Sequence, residues 1–229
     1  MGILNSMKIV VMSCDKNQDL WYPFYHCMEK YWPNHPEIIY STETFNNPYY
    51  KTIKLNYSLN EWSKRVHDTV AQLDDKYILL MVDDIFLRQP VNNDLINSLT
   101  SYLTPCVAAI NFEWSFDKDD RELNDILMIR NERGKYKASV MCQLWNKIAL
   151  LEVFNKVVDC WSFEKKANTG KYSFLISKKG DFLNWGKRHD TWHWAVVRGK
   201  WTEECKDFLD SEGIKIDYSI RGFIDKEEK

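Results

Sequence analysis

A single compact α/β domain is the fold class this sequence predicts, with a Rossmann-like, mixed but mostly parallel central sheet flanked by helices. Two observations carry the prediction. Tyr77 to Val82 is an apolar run of strand length without alternation, and it ends in two adjacent carboxylates, Asp83 and Asp84. A run of that kind is a central strand covered on both faces, the usual state of parallel α/β sheets. The second observation is that such runs alternate with segments of helical periodicity, the pattern of a parallel sheet with helical crossovers.

Lys8 to Met12 is the first buried strand, and it runs into the polar turn Ser13 to Asn17. Leu20, Phe24, Cys27 or Met28, and Tyr31 then recur at helical spacing. Trp32-Pro33 stops that helix, because a residue before proline avoids the helical region. Glu37 to Tyr40 is a second short strand, and Lys51 to Leu55 a third after a loop at Asn46 to Tyr50. Leu59, Trp62, Val66, Val70 and Leu73 form an amphipathic stripe, with Ser58 or Asn60 as its cap. The central strand follows. Val91, Leu95, Leu99 and Leu103 mark another helix, stopped at Thr104-Pro105, and Cys106 to Ile110 is the next buried strand. The regular half closes near Ile110. Beyond it lie a charge-dense loop (Ser115 to Glu122), a polar turn around Gly134, a helix face from Ile148 to Val158, a basic loop (Lys165 to Lys171) and a charged helix at Thr202 to Glu212. Irregular structure after a nucleotide-type half fits an acceptor-binding part, so the expectation is one domain over 1–229 with halves at about 7–110 and about 111–225.

The chain's 229 residues suffice for one sizeable core. A net charge of -2 gives no sign of a nucleic-acid or general anionic-membrane partner. Six scattered cysteines without a Cys-x-x-Cys pair argue against a zinc knuckle or thioredoxin-like site, and they read as reduced, buried thiols of a cytoplasmic protein. No apolar segment reaches the length of a membrane span. Ten tryptophans, many in polar neighbourhoods, serve either as core or as platforms for sugar rings. Exposed aromatics would also permit a homodimer.

In open α/β sheets ligands bind beyond the carboxyl ends of strands. Paired acids there suit a hard cation carrying a phosphate, or a sugar hydroxyl; the plainer reading is a solvated acidic turn. No Gly-x-Gly-x-x-Gly follows the first strand and no Walker loop is present, so dinucleotide and P-loop chemistry are disfavoured. Ser13, Asp15 and Asn17 instead present a hydroxyl, a carboxylate and an amide at a strand end. They either bind a nucleobase or ribose or close an Asx turn.

Four elements together resemble GT-A-type glycosyltransferases of the bacterial kind that builds capsular and other surface polysaccharides. They are the opening strand with Ser13 to Asn17, the segment Trp62 to Arg65, the strand end Val82 to Phe86, and Gln143 to Trp145 followed by Trp161 to Glu164. The resemblance implies a GT-A-like domain, with residues 7–110 as the nucleotide-sugar-binding half. It also implies transfer of a sugar from a nucleotide-diphosphate donor to a hydroxyl of a glycan or lipid-linked oligosaccharide. The enzyme would be cytoplasmic, at the inner face of the cell membrane, with at most peripheral membrane contact.

The resemblance also implies a divalent metal, Mn2+ or Mg2+, at the acid pair. The family's usual spelling is Asp-x-Asp; here Val82 takes the first position and the acids are adjacent. On that basis Asp84 is assigned to the metal and diphosphate, and Asp83 to the ribose or donor sugar. His193, ahead of Arg198-Gly199-Lys200-Trp201, resembles a C-terminal metal-and-diphosphate element, with Lys200 supplying charge; a packed histidine is the alternative. Arg65 is placed to reach phosphate unless it lies on a solvated helix face.

The acceptor hydroxyl needs a base if the reaction inverts the anomeric centre. Glu164 follows Trp161-Ser162-Phe163, an apolar setting expected to raise its pKa; the alternative is a surface glutamate beside Lys165 and Lys166. Glu113 would orient donor or acceptor sugar, and Trp145 and Trp161 would stack on the acceptor, unless they are a loop carboxylate and core residues. Two competing functions are a sugar-phosphate nucleotidyltransferase, which would want glycine in the Ser13 to Asn17 turn, and a non-catalytic carbohydrate-binding protein.

Overall fold

The computed structural model describes residues 6–112, 118–131, 137–167, 170–178 and 194–225. The regular half forms as the periodicities predict. Strand β1 (Met7–Met12) leads through a 3-10 turn into helix α1 (Gln18–Tyr31), followed by β2 (Ile38–Thr42), β3 (Lys51–Lys54), α2 (Trp62–Ala71), β4 (Tyr77–Val82), α3 (Asn93–Leu99) and β5 (Val107–Asn111). Ser58 and Glu61 close a reciprocal capping box ahead of α2, satisfying two backbone donors that a helix start leaves open. The α3 segment is shorter than its apolar spacing predicts, because Thr100–Tyr102 tightens into a 3-10 turn.

The second half contributes more strand than the sequence reading found: β6 (Arg121–Glu122), β7 (Leu127–Ile129), β8 (Gln143–Asn146), β9 (Ser173–Ser177), β10 (Val196–Val197) and β11 (Lys200–Trp201), with helices α4 (Lys147–Val153), α5 (Cys160–Lys166) and α6 (Glu203–Ser211). Nine strands form one sheet in the order β3-β2-β1-β4-β8-β5-β9-β7-β6. The β3-β2-β1-β4 block is parallel. Strand β8 inserts antiparallel between β4 and β5. The two sequence halves therefore share a single sheet.

Alternate residues of the central strands face opposite layers. Ile9, Val11, Leu79 and Met81 join α1, α3 and α6 in one buried cluster. Val10, Met12, Ile78 and Leu80 join α2, α4 and α5 in the other. Both faces of β1 and β4 are thus dry, which is why neither strand alternates in sequence. Among the described residues no helix is long and apolar enough to cross a membrane, and all six cysteines are free.

The topology fixes where a ligand can bind. From β1 the chain moves outward to β2 and β3, then returns to lay β4 on the other side of β1. The carboxyl ends of β1 and β4 therefore flank a switch point, where the diverging connections leave a crevice.

Trp145 corrects one expectation. It lies in β8, fully buried, paired across to Ile78 and Ala109 and edge-on to Phe154 and Phe174. An acceptor sugar cannot reach it, and its indole fills the core. Its Nε1 has no hydrogen-bond partner, so the ring contributes by volume alone. Trp145→Ala is expected to cost about 3–5 kcal/mol of stability and Trp145→Phe much less, as urea unfolding would show.

Candidate functional site

The in-register parallel pairing of Met12 with Val82 sets Ser13 beside Asp83. Ser13 Oγ donates to Asp83 Oδ2 at 2.5 Å and accepts from Trp21 Nε1 at 2.8 Å. An indole N–H can only donate, so the serine proton is left to face the carboxylate. Asn17 Nδ2 donates to Asp83 Oδ1 at 3.0 Å. Asp83 is 2% exposed, and burial pushes its carboxyl up to about 6 despite the Ser13 and Asn17 hydrogen bonds.

Asp84 differs. As a residue it keeps partial exposure, yet its Oδ1 is shut off from solvent with no hydrogen-bond partner. Burial first, then the neighbouring Asp83 charge, push its carboxyl up to about 8. Among the described residues neither acid forms an ion pair. The Arg221 charge offsets only part of this upward push, and two crowded carboxylates favour either a proton or an incoming cation.

Asp84 is also gripped through its backbone. Ala195 N–H donates to the Asp84 carbonyl at 2.7 Å, and Ile85 pairs with Trp194 in an antiparallel bridge. The Trp194 carbonyl accepts from Thr202 Oγ1 at 3.1 Å. Strands β10 and β11 turn on Arg198 and Gly199, both at positive φ, the backbone of a tight hairpin. Lys200 opens β11 in this same clamp.

Three donor-site expectations are corrected. Arg65 is buried, and its guanidinium donates to Glu43 Oε1 at 2.6 Å and to the Ser13 carbonyl at 2.7 Å. Its partners are thus a carboxylate and a carbonyl that tether the β1 loop. The Asp15 carboxylate accepts from the Thr44 and Phe45 backbone N–H groups at 3.0–3.1 Å and from the Thr44 hydroxyl. Asp15 N–H donates to Glu43 Oε2 at 2.5 Å. Asp15 thus binds the turn after β2 and leaves little capacity for a ribose. Asp83, with both oxygens engaged, supports the site floor and is not free to hold a sugar hydroxyl.

Glu164 and Trp161 lie on α5. The Ser139 hydroxyl and the Val140 N–H donate to Glu164 Oε1 at 2.9 and 3.0 Å. Gln143 pairs antiparallel with Leu80, so the segment just before Gln143 runs back along the carboxyl end of β4. Glu164 is therefore tied to the segment that leads into β8. Trp161 is 61% exposed. Glu113 and His193 lie outside the described residues.

Sequence reasoning missed Glu43, Trp21 and Arg221. Glu43 is an acid just past the carboxyl end of β2, and the rule that singled out Asp83 and Asp84 would also have found it. Trp21 follows Ser13 by eight residues and carried no signal beyond core packing. Arg221, which donates to Asn17 Oδ1 at 2.9 Å, is too distant in sequence for any local pattern to disclose.

No protein-family model matches the chain, and no curated protein is similar to it in sequence. Solved structures are similar in fold. S. aureus TarS is 11% identical with a TM-score of 0.50; the similarity covers 75% of this chain and 34% of TarS. TarS 1–349 in complex with UDP-GlcNAc is 11% identical over 89% of this chain and 64% of that one, with a TM-score of 0.49. A cytidylyltransferase from Leptospira borgpetersenii serovar Hardjo-bovis is 10% identical over 70% and 68%, with a TM-score of 0.43. The chain thus spans about a third of TarS. At these identities the likeness shows the fold alone, a GT-A-like α/β domain with a mixed central sheet.

The raised Asp84 carboxyl makes stability depend on pH. The folded state holds a proton that the unfolded chain, near 3.8, releases, so this contribution is complete at low pH and is lost as pH rises through about 8. In chelator-treated protein, wild type should lose stability relative to Asp84→Asn as pH is raised through that window, measured by denaturant titration at each pH.

Proposed function

We propose that the chain is a glycosyltransferase. It would move a sugar from a nucleotide-diphosphate donor to a hydroxyl of a glycan or lipid-linked acceptor in surface polysaccharide synthesis, on the inner face of the cell membrane. The observation that carries this reading is the acid pair at the switch point, with one Asp84 oxygen buried and unpartnered.

That oxygen tests whether a metal fits. Among the described residues no group of three or more His, Cys, Asp or Glu forms a full protein cage. A divalent ion held by one or two carboxylates and completed by substrate phosphates needs no such cage, so the donor set is the right kind. Asp84 would hold it, with His193 as a second ligand. When bound, the ion would neutralise charge developing on the diphosphate.

The chain's own residues divide the remaining work. Ser13, Asn17 and Asp83 fix the floor of the crevice, and Lys200 adds positive charge on the clamp. Glu164 has only Oε1 engaged among the described residues. In this reading its carboxylate takes the proton of the acceptor hydroxyl as that oxygen attacks the anomeric carbon. The bond to the diphosphate breaks, and the nucleoside diphosphate leaves with the electron pair. Trp161 offers an exposed ring face to the acceptor, and Glu113 orients a sugar hydroxyl. A UDP-sugar is the first donor to try, since TarS, which shares the fold, has been crystallised with UDP-GlcNAc.

Calorimetry with a panel of UDP-, GDP- and dTDP-sugars is expected to give binding that requires Mn2+ or Mg2+ and is lost in Asp84→Asn. Glu164→Gln should keep donor affinity within about twofold while turnover falls by about 100-fold or more. Release of pyrophosphate from a nucleoside triphosphate with a sugar phosphate would instead identify a nucleotidyltransferase.

A further inference from the structure

Arg221 lies just after the 3-10 turn Tyr218–Ile220, and its side chain is 9% exposed. Its guanidinium forks onto Asp19, with Nε and Nη2 each 2.7 Å from a carboxylate oxygen. The two Nη2 protons are shared between its Asp19 oxygen, the Lys16 carbonyl and Asn17 Oδ1, the last two both at 2.9 Å. Asn17 is therefore held between a guanidinium, which can only donate, and the Asp83 carboxylate, which accepts. A side-chain amide is the group that accepts on one side and donates on the other, and Arg221 dictates which way round it sits.

The turn carrying Arg221 is itself fixed. Gly222, at φ 64, takes the left-handed conformation. Its carbonyl accepts from Trp201 N–H at 3.0 Å, and Ile224 N–H donates to the Trp201 carbonyl at 2.9 Å. The Tyr218 ring packs edge-on against Trp201, centroids 5.5 Å apart. The segment that grips the Asp84 backbone through Ala195 thus also reaches Asp83 through Arg221 and Asn17.

We infer that Arg221 is a positioning residue of the acid site: it locks the Asn17 amide so that Nδ2 faces Asp83, making the C-terminal turn part of the nucleotide crevice. The mechanical claim stands on the hydrogen bonds alone; its consequence for donor binding rests on the glycosyltransferase reading.

A second anchor keeps the test clean. Glu212, after α6, accepts from Lys30 at 2.6 Å and Tyr31 at 2.7 Å on α1, so the C-terminal segment stays docked without Arg221. The experiment follows the Asn17 side-chain amide by 15N NMR in wild type, Arg221→Lys, Arg221→Ala and Asp19→Asn, with Asn17→Ala to assign the signal. Expected is a protected, resolved amide pair in wild type. In the Arg221 variants it should shift toward free-asparagine positions and exchange at least about tenfold faster. Affinity for UDP with Mn2+ should fall by about fivefold or more. If Arg221→Ala unfolds, Arg221→Lys and Asp19→Asn carry the comparison, because both keep a charge at the site. An unchanged Asn17 signal in the folded variants, whatever their melting temperature, overturns the inference. If wild type itself does not bind UDP with Mn2+, the donor reading fails, and the amide signal still decides the role of Arg221.

Discussion

The hydrogen-bonded Asp83 carboxylate is the interaction on which the rest of this site depends. It ties the ends of two neighbouring parallel strands at the place where their connections diverge, through Ser13 on one oxygen and Asn17 on the other. Burying an ionisable group is unfavourable unless it is well paired, and here the donors are neutral. The Asp83 charge in turn adds to the burial that pushes the adjacent Asp84 carboxyl up. The positive charge that acts on both acids is that of Arg221, whose ion-pair partner is Asp19. The unpartnered Asp84 oxygen is the group that the counter-charge of a ligand would satisfy in the proposed function.

Around that pair the loops form two concentric supports. Arg65, Glu43 and Asp15 lace the ends of β1 and β2 together. The hairpin β10–β11 and Arg221 close the opposite side. These hydrogen bonds hold the backbone on both sides of the acids, the kind of preorganisation that the proposed function would use.

The strands of the first half and the acid pair were readable because they obey local rules: dry runs without alternation, caps, and charge at a strand end. Strand β8 was not. Gln143 to Asn146 is four residues long, and only its insertion between β4 and β5 makes it a strand. The same non-local cause explains the misread side chains. Arg65 looks like a phosphate ligand on a helix wheel, but its partners, Glu43 and Ser13, come from other loops. Trp145 looks like a platform, but it is covered by Phe154 and Phe174 from later elements. Glu164 was singled out by its neighbours in sequence, whereas the Ser139–Val140 segment that hydrogen-bonds it comes from tertiary contact. Burial, partner and orientation are set by which elements meet, and one chain read in order does not contain that.

The central claim is that Asp84 meets a cation bound to a nucleoside diphosphate at the β1–β4 crevice. The most direct measurement is a crystal structure with Mn2+ and UDP. The account predicts an Asp84 carboxylate oxygen within about 2.0–2.6 Å of the ion, with the diphosphate at the same ion and the nucleoside over Ser13 to Asn17. An ion and nucleotide bound elsewhere, with Asp84 Oδ1 still unpartnered, would contradict it.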